Sequence, residues 1–235
     1  MAYWQIGTLT HWHINMIHTT DWGLIEYNDA WNKQEDIFRA TIQLKTEDKQ
    51  TESTLVFCEH PHVYTLGKSG DEQNLLLNYI QLQAADAQFV KTNRGGDITY
   101  HGPGQIVGYP IFDLANFNIG LKQYIFLIEE AIIKTLLEYG IKSERLEGAT
   151  GVWLDTGKPT CRKISAIGVR SSRFVTMHGF ALNVNTNLTY FGHINPCGFI
   201  DKGVTSLEKE LGKKVDMEEV KKYLIENFNT LFITK

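Results

Sequence analysis

Cys197 is the residue whose type and position most directly suggest chemistry. It lies in the tripeptide Pro196-Cys197-Gly198, a composition typical of a turn rather than of an apolar strand or helix face. Because turns are commonly exposed, a substrate can reach a thiol placed there, and a thiolate is a nucleophile of covalent catalysis. The sequence therefore offers Cys197 as a nucleophile, with an unreactive loop thiol as the alternative.

A run of cations could raise the thiolate fraction of such a cysteine. Residues 158–173 include Lys158, Arg162, Lys163, Arg170 and Arg173 and no acidic residue, although the whole chain has a formal net charge of −4. A nearby cation lowers a thiol pKa, which is about 8.5 in a free cysteine. Lys163 begins the otherwise uncharged stretch KISAIGV, so we expect its side chain to point into a pocket; a solvated charged strand face is the alternative.

Cys161 is a second candidate nucleophile. It lies two positions before Lys163, and in a strand this spacing places both side chains on one face. The sequence alone leaves Cys161 and Cys197 as competing thiols.

A glycine-rich motif, RGGDITYHGPGQ, occupies residues 94–105. Glycine has no Cβ, so it permits positive φ angles and lets another group lie against the main chain. Paired Gly95 and Gly96 and the turn Gly102-Pro103-Gly104 therefore suggest a surface that contacts a ligand. The alternative is a tight turn and a bulge between two strands.

Two further patterns resemble binding motifs and fail on inspection. Cys58, His60 and His62 alternate as metal ligands on one strand face could, but Pro61 interrupts the strand and no second ligand pair lies nearby in sequence. The residues 67–69, GKS, resemble the end of a phosphate-binding loop, but a histidine stands where that motif requires its first glycine. We predict no metal site and no such loop.

Composition limits the classes of protein. The 235 residues, 43% hydrophobic and 21% charged, suffice for one compact domain over residues 1–235. The net charge of −4 gives no reason to expect nucleic acid. The chain has no apolar run of eighteen residues and no signal-like N-terminus, so we expect no membrane partner and a cytoplasmic location. Three cysteines without a CxxC pair indicate reduced thiols.

Hydrophobic periodicity predicts the helices. One helix is expected over residues 22–40, with Ile25, Trp31 and Phe38 near one face. A second is expected over residues 121–139, ended by Gly140. Its apolar stripe comprises Leu121, Ile125, Ile128, Ile132 and Leu136, opposite Glu129, Glu130, Lys134 and Glu138.

Capping patterns predict the two C-terminal helices. Thr205 and Glu208 suggest a capping box for a short helix that Gly212 ends. Asp216 begins the last helix, whose apolar stripe comprises Val220, Leu224, Phe228 and Leu231.

Strands are predicted between these helices. Apolar runs at residues 54–60, 88–92 and 106–112 have the length and composition of strands, with loops over 45–53 and 69–78. Short runs at residues 151–154, 163–169, 173–177 and 179–184, separated by turn residues, predict an antiparallel meander. Groups of strands with few long helices indicate an α+β fold with mixed, mostly antiparallel sheets packed with helices.

Five motifs occur in order over residues 94–198, within a similarity that extends over roughly residues 22–207. After RGGDITYHGPGQ come GVW at 151–153, KISAIGVR at 163–170, MHGFALNV at 177–184 and INPCG at 194–198. In this combination the chain resembles the octanoyltransferases of lipoate biosynthesis, lipoyl(octanoyl) transferases. The resemblance implies the biotin/lipoate protein ligase-like fold.

The resemblance also implies an activity and its partners. An octanoyl group would pass from octanoyl-acyl carrier protein to Cys197 and then to a lysine of an acceptor, without ATP or another cofactor. The implied acceptors are the lipoyl domains of 2-oxoacid dehydrogenase complexes and the glycine cleavage H protein. Lys163 would lower the thiol pKa of Cys197 and shuttle protons. We infer that residues 158–173 form a docking surface for these acidic partners, which replacement of Arg170 and Arg173 with Glu would test.

The same resemblance assigns substrate-binding residues. They form three groups along the chain: Arg94, Gly95, Gly96, Asp97, Ile98, Thr99, Tyr100 and His101; Ala166, Ile167 and Gly168; and Gly179, Phe180 and Ala181. His101 and His178 could belong to the site or be structural histidines with satisfied hydrogen bonds.

Two other functions compete with this interpretation. An ATP-dependent lipoate or biotin ligase would share the fold but makes an acyl adenylate, for which no cysteine is needed. An inactive module that binds carrier domains would tolerate the loss of Cys197 or Lys163. The presence of both residues favours the transferase.

Overall fold

The computed structural model describes residues 16–195 and 202–233. Cys197 and the other residues of the Pro-Cys-Gly tripeptide lie outside this range. The described strands are β1 (Ile17–Leu24), β2 (Ser53–Glu59), β3 (Val63–Leu66), β4 (Gln88–Lys91), β5 (Ile98–His101), β6 (Gln105–Ile111), β7 (Glu144–Leu146), β8 (Ala149–Leu154), β9 (Arg162–Ser172), β10 (Val175–Asn183) and β11 (Gly203–Val204). The α-helices are α1 (Tyr27–Thr46), α2 (Tyr79–Ala84), α3 (Leu121–Glu138), α4 (Leu207–Leu211) and α5 (Met217–Ile233).

The strands form a large sheet and a small one. The large sheet has the order β1-β2-β6-β10-β9-β8-β7, and β11 adds to β9; the small sheet has the order β4-β3-β5. Three pairings are parallel, β1 with β2, β11 with β9 and β3 with β4, and the other pairings between named strands are antiparallel. The prediction of an α+β fold with mixed, mostly antiparallel sheets is confirmed.

The two faces of the large sheet pack against different helices. On β10, Phe180 and Leu182 point to the face covered by α3 and α5 and join the main apolar core. Met177 and Ala181 point to the opposite face, where they pack in the cluster that includes Ala30 and Phe38 of α1. This division follows from the alternation of side chains along a strand. The α1 face is the one that carries the candidate site.

The first helix begins later and ends later than predicted. Trp22, Gly23 and Leu24 belong to β1, which pairs in parallel with β2, and α1 then runs from Tyr27 to Thr46. The predicted loop over residues 45–53 is correspondingly shorter. Tertiary strand pairing determines this boundary, and helical periodicity over 22–40 does not contain that information.

The second predicted helix is confirmed. Helix α3 ends at Glu138, and Gly140 follows with φ of +72°, a conformation that favours glycine. Ile128, Ile132 and Leu136 are fully buried, whereas Leu121 is exposed. Glu129 was predicted on the polar face and is instead buried.

Four other details differ from the prediction. The runs at 173–177 and 179–184 are parts of one strand, β10, because Arg173 and Phe174 form the turn that joins it to β9. Ser206, not Thr205, caps α4 by accepting a hydrogen bond from the Lys209 amide. In α5 Phe232 is buried in place of Leu231. The sequence patterns did not predict β1, β3, β5, β7, β11 or α2.

Candidate functional site

A cavity of about 530 Å³ lies against the α1 face of the large sheet. Its walls come from β5 and β6, from β9 and β10, from the start of β8 and from the turns around residues 188–195. Every predicted substrate-binding residue except Gly95 and Tyr100 lines it, and Lys163 lines it too. Asn195 and Lys202, which flank the undescribed segment containing Cys197, also line the cavity.

Gly95 and Tyr100 do not face the cavity but hold its walls in place through contacts with neighbouring segments. The Gly95 amide donates a hydrogen bond of 2.9 Å to the Val169 carbonyl, which fastens the glycine motif to β9. The Tyr100 hydroxyl lies 2.7 Å from His62 Nδ1, and its ring stacks on Tyr190. Neither residue lines the cavity itself.

Buried Arg94 anchors the glycine motif. Its Nη2 donates to the Thr65 carbonyl at 2.6 Å and to the Thr65 hydroxyl at 2.9 Å, and its Nη1 donates to the Gly95 carbonyl at 3.0 Å. Burial lowers the pKa of Arg94. A Cβ at Gly67, the residue after β3, would overlap the Gly96 carbonyl, so the backbones of both segments touch there. The motif is therefore a rigid wall joined to the small sheet.

Lys163 reaches the cavity through a β-bulge. Val152 pairs with Ser165 and the next residue, Trp153, pairs with Lys163, so Ile164 is left out of the pairing. A bulge of this kind interrupts the alternation of side chains. Ile164 accordingly joins the core on the other face, while Lys163 and Ala166 both line the cavity.

The ammonium of Lys163 lies in an apolar setting. Its Nζ donates to the Thr150 carbonyl at 3.3 Å and lies 4.5 Å from the centroid of the Trp153 ring. Burial lowers the pKa of Lys163 to about 8, and the charge of Glu129 partly opposes this shift. A lysine with this pKa exchanges its proton near neutral pH, as a general acid or base must.

Glu129 is a functional candidate that the sequence reading missed. Its carboxylate accepts hydrogen bonds from the Gly151 amide and from Arg145 Nε, both at 3.0 Å. Gly151 has φ of +127°, and a Cβ there would lie 3.4 Å from Lys163 Cε. Glu129 and Gly151 together therefore shape the space around the lysine. The glycine of GVW was the only signal available for this contact.

Both histidines left open by the sequence are buried in the cavity wall. His101 Nδ1 lies 2.8 Å from Gln105 Oε1, and its Nε2 lies 3.2 Å from the Thr65 hydroxyl. His178 Nε2 lies 2.6 Å from Asn93 Oδ1. Burial lowers the pKa of His101 and of His178 to about 3 each, so both rings are neutral at physiological pH.

The other two cysteines are buried and do not line the cavity. Cys161 is buried, packs with Ala149 and Trp153, and does not line the cavity. Cys58 is buried in the core beside His60, and burial raises its thiol pKa. Burial and a raised pKa make a thiol unreactive.

The basic stretch is largely paired with acidic residues from elsewhere. Arg162 donates two hydrogen bonds of 2.7 Å to Glu210 and contacts Asp155, and Arg170 Nη1 lies 2.7 Å from Glu35. Lys158 pairs with Asp155 as well. The predicted docking surface is therefore much less cationic than the sequence of residues 158–173 indicates.

Among the described residues, each helix is too short or too polar to cross a membrane.

The architecture is that of lipoate and biotin protein ligases. A solved structure of a bi-partite lipoate protein ligase with its E2 lipoyl domain, from Thermoplasma acidophilum, matches with a TM-score of 0.66 at 16% identity, covering 92% of this chain and 84% of that one. The biotin protein ligase of Aquifex aeolicus in complex with biotin and ATP matches with a TM-score of 0.54 at 14% identity, over 92% of this chain and 70% of that one.

The chain belongs to the family described as lipoyl protein ligase A/B catalytic domain, which matches residues 26–229. An octanoyltransferase of Bacteroides fragilis is 57% identical over 206 residues, covering 88% of this chain and 93% of the relative. An octanoyltransferase of Flavobacterium johnsoniae is 56% identical over 223 residues, covering 92% and 96%. The predicted resemblance to octanoyltransferases, and with it the prediction of an acyltransferase, is confirmed.

Proposed function

We propose that the chain transfers an octanoyl group from octanoyl-acyl carrier protein to a lysine of a lipoyl-accepting domain, through a thioester on Cys197. The observation that carries the proposal is a lysine of lowered pKa in the wall of the cavity, into which Asn195 and Lys202, on either side of the cysteine segment, also project. The octanoyltransferase relatives support the acyl group.

The first step exchanges one thioester for another. The Cys197 thiolate attacks the carbonyl carbon of the donor, and a new C–S bond forms as the bond to the carrier sulfur breaks. The carrier thiolate leaves and takes a proton. Because a thioester is already activated, this exchange needs no nucleotide.

The second step makes an amide. The uncharged amine of the acceptor lysine attacks the octanoyl carbon, the bond to Cys197 breaks, and the amine loses a proton. Lys163 supplies a cation that favours the Cys197 thiolate, and its pKa of about 8 suits it to pass protons in both steps. Acceptors of this chemistry are the lipoyl domains of 2-oxoacid dehydrogenase complexes and the glycine cleavage H protein, and we place the reaction in the cytoplasm.

Intact mass spectrometry tests the covalent step. After mixing with octanoyl-acyl carrier protein, without ATP, the chain should gain the mass of one octanoyl group, and peptide mapping should place it on Cys197. Cys197→Ser should abolish formation of the thioester adduct, and the matched variant Cys161→Ser should retain it because Cys161 is buried away from the cavity. Lys163→Ala should slow acylation by about 10²-fold or more.

Three results would contradict the proposal. They are an adduct on Cys161, an adduct that persists in Cys197→Ser, and transfer that requires ATP. The last would instead support an acyl-adenylate ligase on the same fold.

A further inference from the structure

Three small side chains form a row across the large sheet inside the cavity. Ala166 of β9 pairs with Ala181 of β10, and Ala181 pairs with Val107 of β6. Paired residues on adjacent strands point to the same face, and all three line the cavity. The row therefore runs at right angles to the strands, as a shallow apolar floor.

One end of the row lies beside the lysine ammonium. Lys163 Nζ donates a hydrogen bond to the carbonyl oxygen of Thr150, which belongs to β8, the strand next to β9. The lysine thus approaches the row from the side of Ala166. Under the proposed function, on which this inference rests, the acyl carbonyl reacts at this end.

The other end of the row is closed by aromatic rings. Tyr27 is buried, and its ring stacks on His101 with centroids 5.8 Å apart; Tyr109 lines the cavity next to them. Tyr27 also packs edge-on against His60, at 5.2 Å. Because these groups are buried and packed on one another, the far wall beyond Val107 is fixed.

Along β9 the cavity is narrow at Gly168, which still lines it. Gly168 follows Ala166 on the same face, but a Cβ added there would lie 2.8 Å from the Gly95 carbonyl oxygen and 3.2 Å from Arg94 Cδ. The glycine motif therefore covers the strand immediately beyond Ala166.

We propose that the acyl chain lies across the strands over Ala166 and Ala181, and that Val107 at the end of this row determines which chain length the cavity accepts. Neighbouring strands are about 4.8 Å apart, so the path from Ala166 of β9 across β10 to Val107 of β6 spans roughly 10 Å. An extended chain advances about 1.2 Å per bond, so the seven C–C bonds of an octanoyl group cover about 8–9 Å. A carbonyl over Ala166, at the end of the row beside Lys163, then places the terminal methyl near Val107.

The row makes a graded prediction. Val107→Ala lengthens the floor and should raise the rate with decanoyl relative to octanoyl carrier protein by about tenfold, the value of two newly buried methylenes. Val107→Leu should shift preference the other way, toward hexanoyl. Ala181 lies one strand nearer the lysine than Val107. Ala181→Val should therefore shorten the accepted chain by about four carbons relative to octanoyl, since one strand spacing equals about four C–C bonds.

The measurement is the rate of acyl-enzyme formation with butanoyl, hexanoyl, octanoyl and decanoyl carrier protein, followed by intact mass. Ile106→Val is the matched control, because Ile106 lies on the same strand and points into the opposite core. Binding of free hexanoate, octanoate and decanoate is measured by calorimetry on the same variants, so that chain length is read independently of acyl transfer.

The two arms separate the possible failures. Unchanged length preference in Val107→Ala and Val107→Leu, or a shift of equal size in Ile106→Val, overturns the inference. If the variants change the chain length of the free acid that binds as predicted, but the unmodified protein forms no acyl-enzyme, the inference is supported and the proposed function is overturned.

Discussion

Lys163 is a partly desolvated cation at the edge of the cavity. The Lys163 ammonium lies beside the Trp153 ring. Burial lowers the pKa of Lys163, and the negative charge of Glu129 only partly offsets this effect. Removing an ammonium from water destabilises a folded chain unless its partners compensate fully. The lowered pKa shows that compensation is incomplete, so reactivity here is obtained at the expense of stability.

Lys163→Met should make the protein more stable at pH 7, by on the order of 1–3 kcal/mol. The pKa of Lys163 falls from 10.5 to about 8 on folding, so below pH 8 the unmodified chain bears the full cost of the buried charge. Between pH 8 and 10.5 unfolding takes up a proton, so the stability of the unmodified protein rises with pH. The advantage of the variant should therefore shrink across that window, as measured by urea unfolding at pH 7, 9 and 10.

Lys158→Met is the control for this experiment, because the Lys158 side chain is 66% exposed. It should show no such pH-dependent difference. A Lys163→Met protein less stable than the unmodified one at pH 7, or a constant difference from pH 7 to 10, would contradict the argument.

The location of a single residue could be predicted from sequence where a charged side chain stands in an otherwise apolar segment. A lysine that begins an apolar strand requires a special environment, and Lys163 does line the cavity. Glu129 was not predictable, because its burial depends on Arg145 and Gly151, which are 16 and 22 residues away. Helical periodicity contains no information about such partners. The role of Cys197 stays a prediction.

At the scale of elements, a short parallel strand holds the chain beside Lys163. In β11 and just after it, the Gly203 amide donates to the Cys161 carbonyl at 3.1 Å, and the Thr205 amide donates to the Lys163 carbonyl at 2.9 Å. Arg162 fastens the same region through its paired hydrogen bonds to Glu210 of α4, which also raise the pKa of Arg162.

Arg162→Ala should destabilise the fold by about 1–3 kcal/mol, because it leaves Glu210 and Asp155 close together without their shared cation. Amide exchange at Gly203 and Thr205 should become faster, since the region loses its side-chain anchor. Urea unfolding and native-state hydrogen exchange measure both effects.

Arg39→Ala provides the comparison, because the Arg39 side chain is 76% exposed in its ion pair with Glu35. Exposed pairs contribute about 0–1 kcal/mol. Equal losses in the two variants, or unchanged exchange at Gly203, would show that the Arg162 contacts are dispensable.

Elements with strong local signals were predicted, and those that depend on pairing were not. Helix α3 has a long apolar stripe and a glycine stop, and it was found within one residue of its C-terminal end. Strand β1 is largely exposed and exists through its pairing with β2. Its sequence resembles the start of a helix because nothing within residues 17–24 specifies a partner strand.

At the scale of the whole molecule, α3 and α5 pack together over one face of the large sheet and leave the other face for the cavity. Their joint core is aromatic: Phe232 of α5 makes edge contacts with Phe112 at 5.2 Å and with Phe117 at 5.5 Å, and stacks on Phe228 at 5.6 Å. The position of α5 thus depends on its last turn.

Phe232→Ala should therefore lower the free energy of unfolding by about 3–5 kcal/mol. Leu231→Ala, at the position that the sequence placed in the apolar stripe, should cost less than about 2 kcal/mol, because Leu231 is only partly buried. Chemical denaturation of both variants measures the difference. A larger loss in Leu231→Ala would favour the stripe predicted from periodicity.

The surface charge around residues 158–173 could not be predicted from the sequence alone. Residues 158–173 contain no acid, yet Arg162 contacts Asp155 and Glu210, and Arg170 contacts Glu35, in other segments of the chain. A linear run of charge describes a surface only when the fold brings no opposite charges to it. A role of Arg170 and Arg173 in docking stays a prediction, as does the assignment of residues 1–235 to one domain.

The bulge at Ile164 makes the direction of the Lys163 side chain depend on strand pairing as well as on residue type. Lys163 and Ala166 are three residues apart, so in a regular strand they would point to opposite faces, and pairing without the bulge would turn the ammonium toward the core beneath α3 and α5. Such a change of pairing would leave every motif, the net charge and the composition unchanged. A relative with all five motifs therefore has the same site only if its strands pair with the same bulge.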